Sequence, residues 1–427
     1  MFQRNSHHTS SYYASTCIPP ERPAQTDDID TEVLIIGAGF SGLHTALRLA
    51  LEGRRVTVIE SSRVAWAASG RNGGMAILGW SCDMDPLEKA LGRDDARALW
   101  KLMRWAAAEV RELPLRHGFD CDYREGHLWT SVLPRRVGLL REWQEHASKK
   151  WGYENLQFVE KQDLPNWVAS ERYQAGLFDP EAGHLNPLKL ALGLAQAIEK
   201  AGGVILEQTR ALKYQEMGNR VQVTTEHGKI DCDVLVLACN AYIDELAPEL
   251  SRKVLPVGSY TVTTEVMEPE VARALIPSNA CVTDNQFVLD YFRLTPDNRL
   301  LFGGGCSYLG GMPADIGKAM RGSVTRVFPQ LKNIRFDFSW GGHIDITMNR
   351  APDIGNRGNV YWMQGYSGHG VLPTCVAGRV VADAIAGRRD HLDLFMKLQH
   401  SEFPGGQLLA PWLEAAGKIW FRLRDVF

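Results

Sequence analysis

The sequence predicts a two-domain chain of mixed α/β and α+β class, in which a doubly wound, parallel-sheet domain is interleaved with an antiparallel-sheet domain. Three observations predict it. An apolar strand, a glycine-rich turn, a helix and a second strand follow one another without a break in residues 31–60. Two further apolar, strand-like runs, 233–239 and 359–364, lie far downstream and read as returning strands of the same sheet. Between them, residues 256–340 are rich in β-branched and aromatic side chains broken by turns such as Pro296-Asp297-Asn298, the pattern of an antiparallel sheet with helices.

The 427 residues, 45% hydrophobic and 23% charged, suit a soluble globular chain too long for one simple core. A net charge of -3 leaves no basic excess for phosphates, so nucleic acid is not an expected partner. The eight cysteines (17, 82, 121, 232, 239, 281, 306 and 375) form no CxxC pair, so no metal site and no disulfide framework is expected, and reduced thiols in the cytoplasm are. The polar first thirty residues lack the apolar run of a secretory signal. No stretch reaches the roughly 20 apolar residues that span a bilayer. Near the C-terminus, Leu413, Ile419, Trp420 and Leu423 recur at helical spacing among Lys418, Arg422 and Arg424. A helix packed on the protein's own surface is the preferred reading there, and a membrane-surface helix is the alternative.

Glu32-Val33-Leu34-Ile35-Ile36 reads as a buried parallel strand. It leads into Gly37-Ala38-Gly39-Phe40-Ser41-Gly42, a GxGxxG, then into a helix over 43–51 and a second strand over 55–59 that closes on Glu60. Gly37 permits a tight turn, Gly39 lets a pyrophosphate approach the backbone, and Gly42 lets helix and strand pack closely. The helix start offers free N–H groups to phosphate, and Glu60 stands where a carboxylate can accept hydrogen bonds from ribose hydroxyls. Together they predict a Rossmann-like dinucleotide site without separating FAD from NAD. A glycine turn that merely packs would leave the acid unexplained. After Glu60 comes the small, polar stretch Ser61-Ser62-Arg63-Val64-Ala65-Trp66-Ala67-Ala68-Ser69-Gly70-Arg71-Asn72-Gly73-Gly74, for which a plain NAD domain has no evident use. Its backbone could approach a flat ring, with Arg71 and Asn72 offering donors to the ring's polar edge; a surface loop is the plainer alternative.

These residues carry a resemblance. Residues 31–74 resemble flavoproteins of the D-amino-acid-oxidase type, which include glycine oxidase and sarcosine oxidase, and residues 68–74 match a motif of bacterial amine-catabolic members. With Ser11-Tyr12-Tyr13-Ala14, Gly183-His184-Leu185-Asn186-Pro187, Asp290-Tyr291-Phe292-Arg293-Leu294, Gly365-Tyr366-Ser367-Gly368-His369-Gly370 and Phe403-Pro404-Gly405-Gly406, nearly the whole chain is similar to the gamma-glutamylputrescine oxidase and L-pipecolate oxidase branch. The resemblance implies one FAD and a discontinuous flavin domain at 29–84, 184–250 and 341–400. It implies a substrate domain at 85–183 and 251–340, an N-terminal extension at 1–28 and a C-terminal helix at 401–427. It carries the cofactor contacts onto the 37–42 turn, Glu60, the 61–63 and 68–74 stretches, Ala211 at the adenine, and Cys239 and Asn240, where many flavoproteins have Ala-Thr-Gly. It also implies that the helix over 371–387, with Pro373 in its first turn, points its N-terminus at the flavin N1/C2=O edge, through Ser367, Gly368, His369, Gly370 and Val371. Reduced flavin is anionic there, which a helix dipole favours. His369 could assist or be a plain turn residue.

The implied reaction is hydride transfer from the carbon beside an amine to flavin N5, giving an imine. Orientation and desolvation are then the protein's tasks, with no general base required. Candidate pocket residues are Tyr260, Tyr291, Arg293, His343 and Tyr366, with Arg293 for a substrate carboxylate and His343 facing the flavin; each could equally serve packing. Two departures from the family matter. Amino-acid oxidases of this type carry a carboxylate-binding arginine just after Trp-x-Gly, where this chain has Ile344 in Trp340-Gly341-Gly342-His343-Ile344. Arg350 could substitute or support the flavin. The region 341–355 lacks the cysteine that links FAD covalently in the sarcosine-oxidase subgroup, so noncovalent FAD is expected. That subgroup's oxygen-activating lysine has no clear counterpart. The expected partners are a small amine or amino acid and an electron acceptor, molecular oxygen in preference to a quinone. A quinone-linked dehydrogenase, a nicotinamide enzyme and a flavin-binding module without chemistry are the competing readings.

Overall fold

The computed structural model describes residues 7–286, 288–307 and 311–404. The chain opens its first sheet with β1 (Ile29–Ile36), α1 (Phe40–Leu51) and β2 (Val56–Ile59). It continues through α2 (Arg93–His117), β3 (Arg124–Ser131), α3 (Val137–Trp151), β4 (Ala175–His184), α4 (Pro187–Lys200) and β5 (Val204–Leu206). A hairpin of β6 (Ala211–Met217) and β7 (Arg220–Thr225) precedes β8 (Lys229–Leu237). The second sheet gains β9 (Leu255–Thr264), β10 (Cys281–Asp284), β11 (Tyr291–Leu294) and β12 (Leu300–Ser307), then α5 (Ile316–Val327) and β13 (Phe336–Ile346). The chain returns through β14 (Asp353–Arg357), β15 (Val360–Gln364) and α6 (Val371–Ile385).

The first sheet has the order β14-β15-β8-β1-β2-β5, with the β6–β7 hairpin hung from β8. Its centre is parallel: Val33 lies beside Val234 on one side and Val56 on the other. Val33, Leu34 and Ile35 are buried, as an all-apolar strand must be when covered on both faces. β1 sits between β2 and β8, so the turn after β1 opens at the carboxyl edge where the strand order reverses, the place where such sheets bind ligands. The helix expected to begin at residue 43 begins at Phe40, because Gly39 serves as its N-cap and the Phe40 ring is already buried.

The second sheet has the order β13-β9-β12-β11-β10-β3-β4, extended at its end by the short strand Met75–Ala76. It is antiparallel except that β10 enters beside β3 in the same direction, Cys281 next to His127. α5 covers its outer face, and Met320 and Val324 pack with Val262, Phe292 and Phe302. Residues 341–346, expected with the flavin segments, belong to β13 and pair with β9 as far as Ile346. α2 was expected with the substrate domain. Its Leu99, Met103, Ala106 and Val110 recur at helical spacing and enter the core that contains Leu43, Leu47 and Val376 of α1 and α6. The N-terminal extension ties the two sheets: the Tyr12 hydroxyl donates to Asp297 at 2.7 Å, and the Gln25 N–H donates to Thr209 at 3.0 Å. No disulfide joins the eight cysteines, and no described helix is long and apolar enough to cross a membrane. The expected C-terminal helix falls, from residue 405, outside the described residues.

Candidate active site

A cavity of about 1310 Å³ runs from the turn after β1 to the inner face of the second sheet. Its first wall is backbone. Gly37 has φ +111°, and a side chain there would lie 2.6 Å from the Ala238 carbonyl. A Cβ on Gly42 would come within 2.0 Å of the Gly37 carbonyl, so α1 can start this close to β1 only with glycine. The Phe40 N–H donates to the Ser69 hydroxyl at 2.9 Å, tying the helix start to the 68–70 turn. The Glu60 carboxylate accepts from Ala38 N at 3.0 Å and Ser62 N at 2.9 Å, and burial pushes its pKa up. Gly37, Gly39, Phe40, Ser41, Glu60, Ser61 and Ser62 line the cavity. Ala38, Gly42, Gly70 and Gly74 do not. They shape the wall from behind, Gly70 against the Ala65 carbonyl and Gly74 against that of Leu185. Arg63 is a correction: its Nε lies 2.6 Å from Glu207, its Nη2 donates to the Pro20 carbonyl, and it holds the N-terminal extension instead of the cavity.

The 65–74 loop is held by its own polar groups. Arg71 lies 4.3 Å over the Trp66 ring and donates from Nε to the Trp66 carbonyl at 2.7 Å and from Nη1 to that of Gly341 at 3.2 Å. Asn72 accepts from Gly74 N and donates to the Ala68 and Ser69 carbonyls. Both line the cavity with Ala68, Ser69 and Gly73. These bonds hold the shape of a loop rich in small residues, and they engage both N–H groups of the Asn72 amide but only part of the Arg71 guanidinium. Opposite stand Ala211, Cys239, Asn240, Arg350, Ser367, Gly368, His369, Gly370 and Val371, all lining the cavity. The His369 Nε2 lies 2.9 Å from the Ile77 carbonyl, so that nitrogen carries the hydrogen, and burial lowers the ring's pKa. Tyr366 meets Ser41 at 2.7 Å, which puts it at the glycine turn and not on the substrate sheet.

The second sheet supplies the other wall. Strand register sets Trp129, Thr283, Tyr291, Gly303, Thr261 and Trp340 in one row across six strands. The Tyr291 ring lies over Gly303, where a Cβ would be 1.9 Å away, and its hydroxyl is 3.3 Å from that of Thr261. His343 also lines the cavity, with Nδ1 3.5 Å from the Tyr242 hydroxyl. Two expectations fail here. Arg293 is 1% exposed and lies outside the cavity. Its guanidinium donates to the Gly73 and Leu185 carbonyls at 2.8 and 2.9 Å, which leaves it a clamp on the 72–74 loop and no partner for a substrate carboxylate. Tyr260 points into the core behind the sheet and donates to the Gly311 carbonyl at 3.2 Å. Sequence reasoning missed Trp80, Trp129 and Trp143, which line the same cavity as Asp83 and Glu142, with the Trp129 and Trp143 ring centroids 6.1 Å apart. It also missed Asp345, whose one sequence signal is an acid between two isoleucines of a strand. Among the described residues no group of three or more His, Cys, Asp or Glu side chains could hold a metal.

The family model described as DAO, FAD dependent oxidoreductase, matches residues 32–384, and the chain belongs to this family. Gamma-glutamylputrescine oxidoreductase of Escherichia coli (strain K12) is 39% identical to it over 422 residues, 98% of each chain. The fold is similar to that of glycine oxidase from Geobacillus kaustophilus, with TM-score 0.72 and 21% identity over 87% of this chain and 100% of that one. It is also similar to L-amino acid deaminase from Proteus myxofaciens in complex with anthranilate, with TM-score 0.73 and 17% identity over 92% and 98%. The residues present fit FAD. The glycine turn, whose Gly37, Ala38 and Phe40 amides are bonded to Ile59, Glu60 and Ser69, brings bare backbone at Gly37 and Gly39 to a cavity that exceeds the roughly 300–1,000 Å³ of a drug-sized site. Glu60 closes one end, and the first turn of α6 faces another part of the wall.

Proposed function

We propose that this FAD-dependent oxidoreductase oxidises the terminal amine of an extended substrate that carries a second positive charge, of the kind named by its Escherichia coli relative, with molecular oxygen as acceptor. The observation that carries this reading is the presence of Trp80, Trp129 and Trp143 together with Asp83 and Glu142 in the cavity lining. Indole faces and carboxylates both attract an ammonium group, and the indoles also cover methylenes. The retreat of Arg293 into the 72–74 loop and Ile344 in the usual arginine position weigh against an α-amino acid held by its carboxylate.

The chemistry FAD supplies when bound is acceptance of a hydride at N5 from the carbon beside the amine, which leaves an imine on the substrate. In this reading the bare backbone at Gly39 and the start of α1 hold the pyrophosphate, Glu60 the ribose, and the 65–74 loop the ring, all noncovalently. Tyr291 and Thr261 form the floor on which the reacting carbon rests. His343 faces the amine. Exclusion of water by the aromatic walls favours the neutral amine, whose lone pair assists the transfer. Two cysteines, Cys239 and Cys306, line the cavity, so release of all flavin on denaturation supports the noncovalent reading, and a chain mass carrying flavin sinks it.

The test is steady-state oxidation of gamma-glutamylputrescine, putrescine, L-pipecolate, sarcosine and glycine with peroxide detection. Turnover of the two putrescine compounds with peroxide formation is expected. Turnover only with an added quinone would replace the acceptor, and preference for glycine or L-pipecolate would replace the substrate. Glu142→Gln should raise KM for the cationic substrates about threefold, as for a rim charge worth below about 1 kcal/mol, and leave kcat unchanged.

A further inference from the structure

Asp345 lies where the two sheets meet at the cavity. It sits near the end of β13 in the second sheet, is 1% exposed and lines the cavity two residues after His343. Its carboxylate accepts the N–H of Gly365, in the turn between β15 and α6 of the first sheet. It also accepts the side-chain amide of Asn240, 2.8 Å from Oδ1 in the orientation that satisfies both groups. Asn240 is held at φ +50° just beyond β8. The same turn is tied down twice more: Ser367 N donates to the Asp345 carbonyl at 2.9 Å, and Thr347 N to the Ser367 hydroxyl at 3.3 Å. One side chain therefore joins three segments, residues 238–240, 343–347 and 365–370, that meet around the wall expected to face the flavin ring.

We propose that Asp345 is a positioning residue for the cofactor: it fixes the 365–370 turn, and with it the first turn of α6, against the strand that carries His343, and it places a fixed negative charge beside the ring site. This rests on the FAD assignment and not on the choice of substrate. Burial pushes its pKa up to about 6, with the hydrogen bonds from Gly365 and Asn240 holding it down, so the group is ionised at neutral pH. A buried carboxylate accepting several N–H bonds is costly to leave half-satisfied, which makes this a rigid junction. An anion here opposes added negative charge on a nearby ring, as α6 favours it.

Two variants separate the parts of the proposal. Asp345→Asn keeps an acceptor for Gly365 N and removes the charge, and Asn240 can turn its amide to match. It should bind FAD as the parent does and show a more positive flavin reduction potential in a dye-coupled reductive titration at pH 8, which needs no substrate. Asp345→Ala removes the acceptor as well, and its apoprotein should take up FAD about tenfold more weakly or worse. A potential equal to the parent's in Asp345→Asn overturns the electrostatic part, even if both variants melt earlier. Parental FAD affinity in Asp345→Ala overturns the positioning part. If Asp345→Ala does not fold, Asp345→Ser, shorter and neutral, replaces it with the same two criteria.

Discussion

The two walls of the cavity are built on different principles. The wall at the end of β1 is made of backbone: Gly37 and Gly42 allow approaches that any side chain would block, and the Glu60 carboxylate accepts the amides of Ala38 in that turn and of Ser62 just beyond β2. The wall on the second sheet is made of side chains brought into one row by register, of which Trp129, Thr283, Tyr291 and Thr261 face the cavity. On the proposed reading the first wall holds the cofactor and the second meets the amine, so side chains can be exchanged on the second without disturbing the first.

The largest effect that could break this contrast comes from exchanging the glycines on each wall. Gly42→Val forces a side chain into the Gly37 carbonyl and should leave FAD uptake weaker by up to about a hundredfold, since overpacking of this kind costs about 1–3 kcal/mol. Gly303→Ala displaces the Tyr291 ring instead. It should keep full flavin content and lower kcat/KM about tenfold. Loss of flavin from Gly303→Ala would show that the walls are not independent.

A smaller effect sharpens the cofactor side. Glu60→Gln keeps the shape and one acceptor but removes the charge, and FAD affinity measured by fluorescence titration should fall about tenfold, the order of one charge-assisted hydrogen bond. No change would mean that Glu60 serves only the Ala38 and Ser62 amides.

The smallest effect concerns the stability of the second sheet. Burial first, and then the neighbouring Asp290, pushes the pKa of Asp284 up from 3.8 to about 7. A raised carboxylate favours the folded state when protonated, so its contribution is complete below the unfolded value and is lost as pH rises through about 7. Asp284→Asn should therefore raise Tm more at pH 8 than at pH 5. An equal gain at both values would contradict the assignment.

The same contrast explains what the sequence made legible. The backbone wall is local: strand, GxGxxG, helix, strand and acid stand in order within thirty residues, and each residue's role follows from its neighbours. The tight turn at Gly37 and the close packing at Gly42 were therefore readable. Arg63 was not, because Glu207, its partner, arrives from another part of the chain. The side-chain wall depends on register between distant strands. Tyr291 and Arg293 are two residues apart on one strand face, yet one borders the cavity and the other is buried under the 72–74 loop. Tyr260 turned to the opposite face for the same reason, and Trp80, Trp129 and Trp143 reach the cavity from separate parts of the chain with no common motif. Asp345 escaped notice because its partners lie about a hundred residues upstream and twenty downstream.

The central claim, an extended cationic amine oxidised at the FAD of this cavity, is tested most directly by anaerobic mixing of the purified holoenzyme with gamma-glutamylputrescine, putrescine, glycine and L-pipecolate while the visible absorbance of oxidised flavin is followed. Rapid bleaching by the putrescine compounds, and slow or absent bleaching by glycine and L-pipecolate, is the predicted result. Bleaching by glycine or L-pipecolate with the putrescine compounds inert would contradict it.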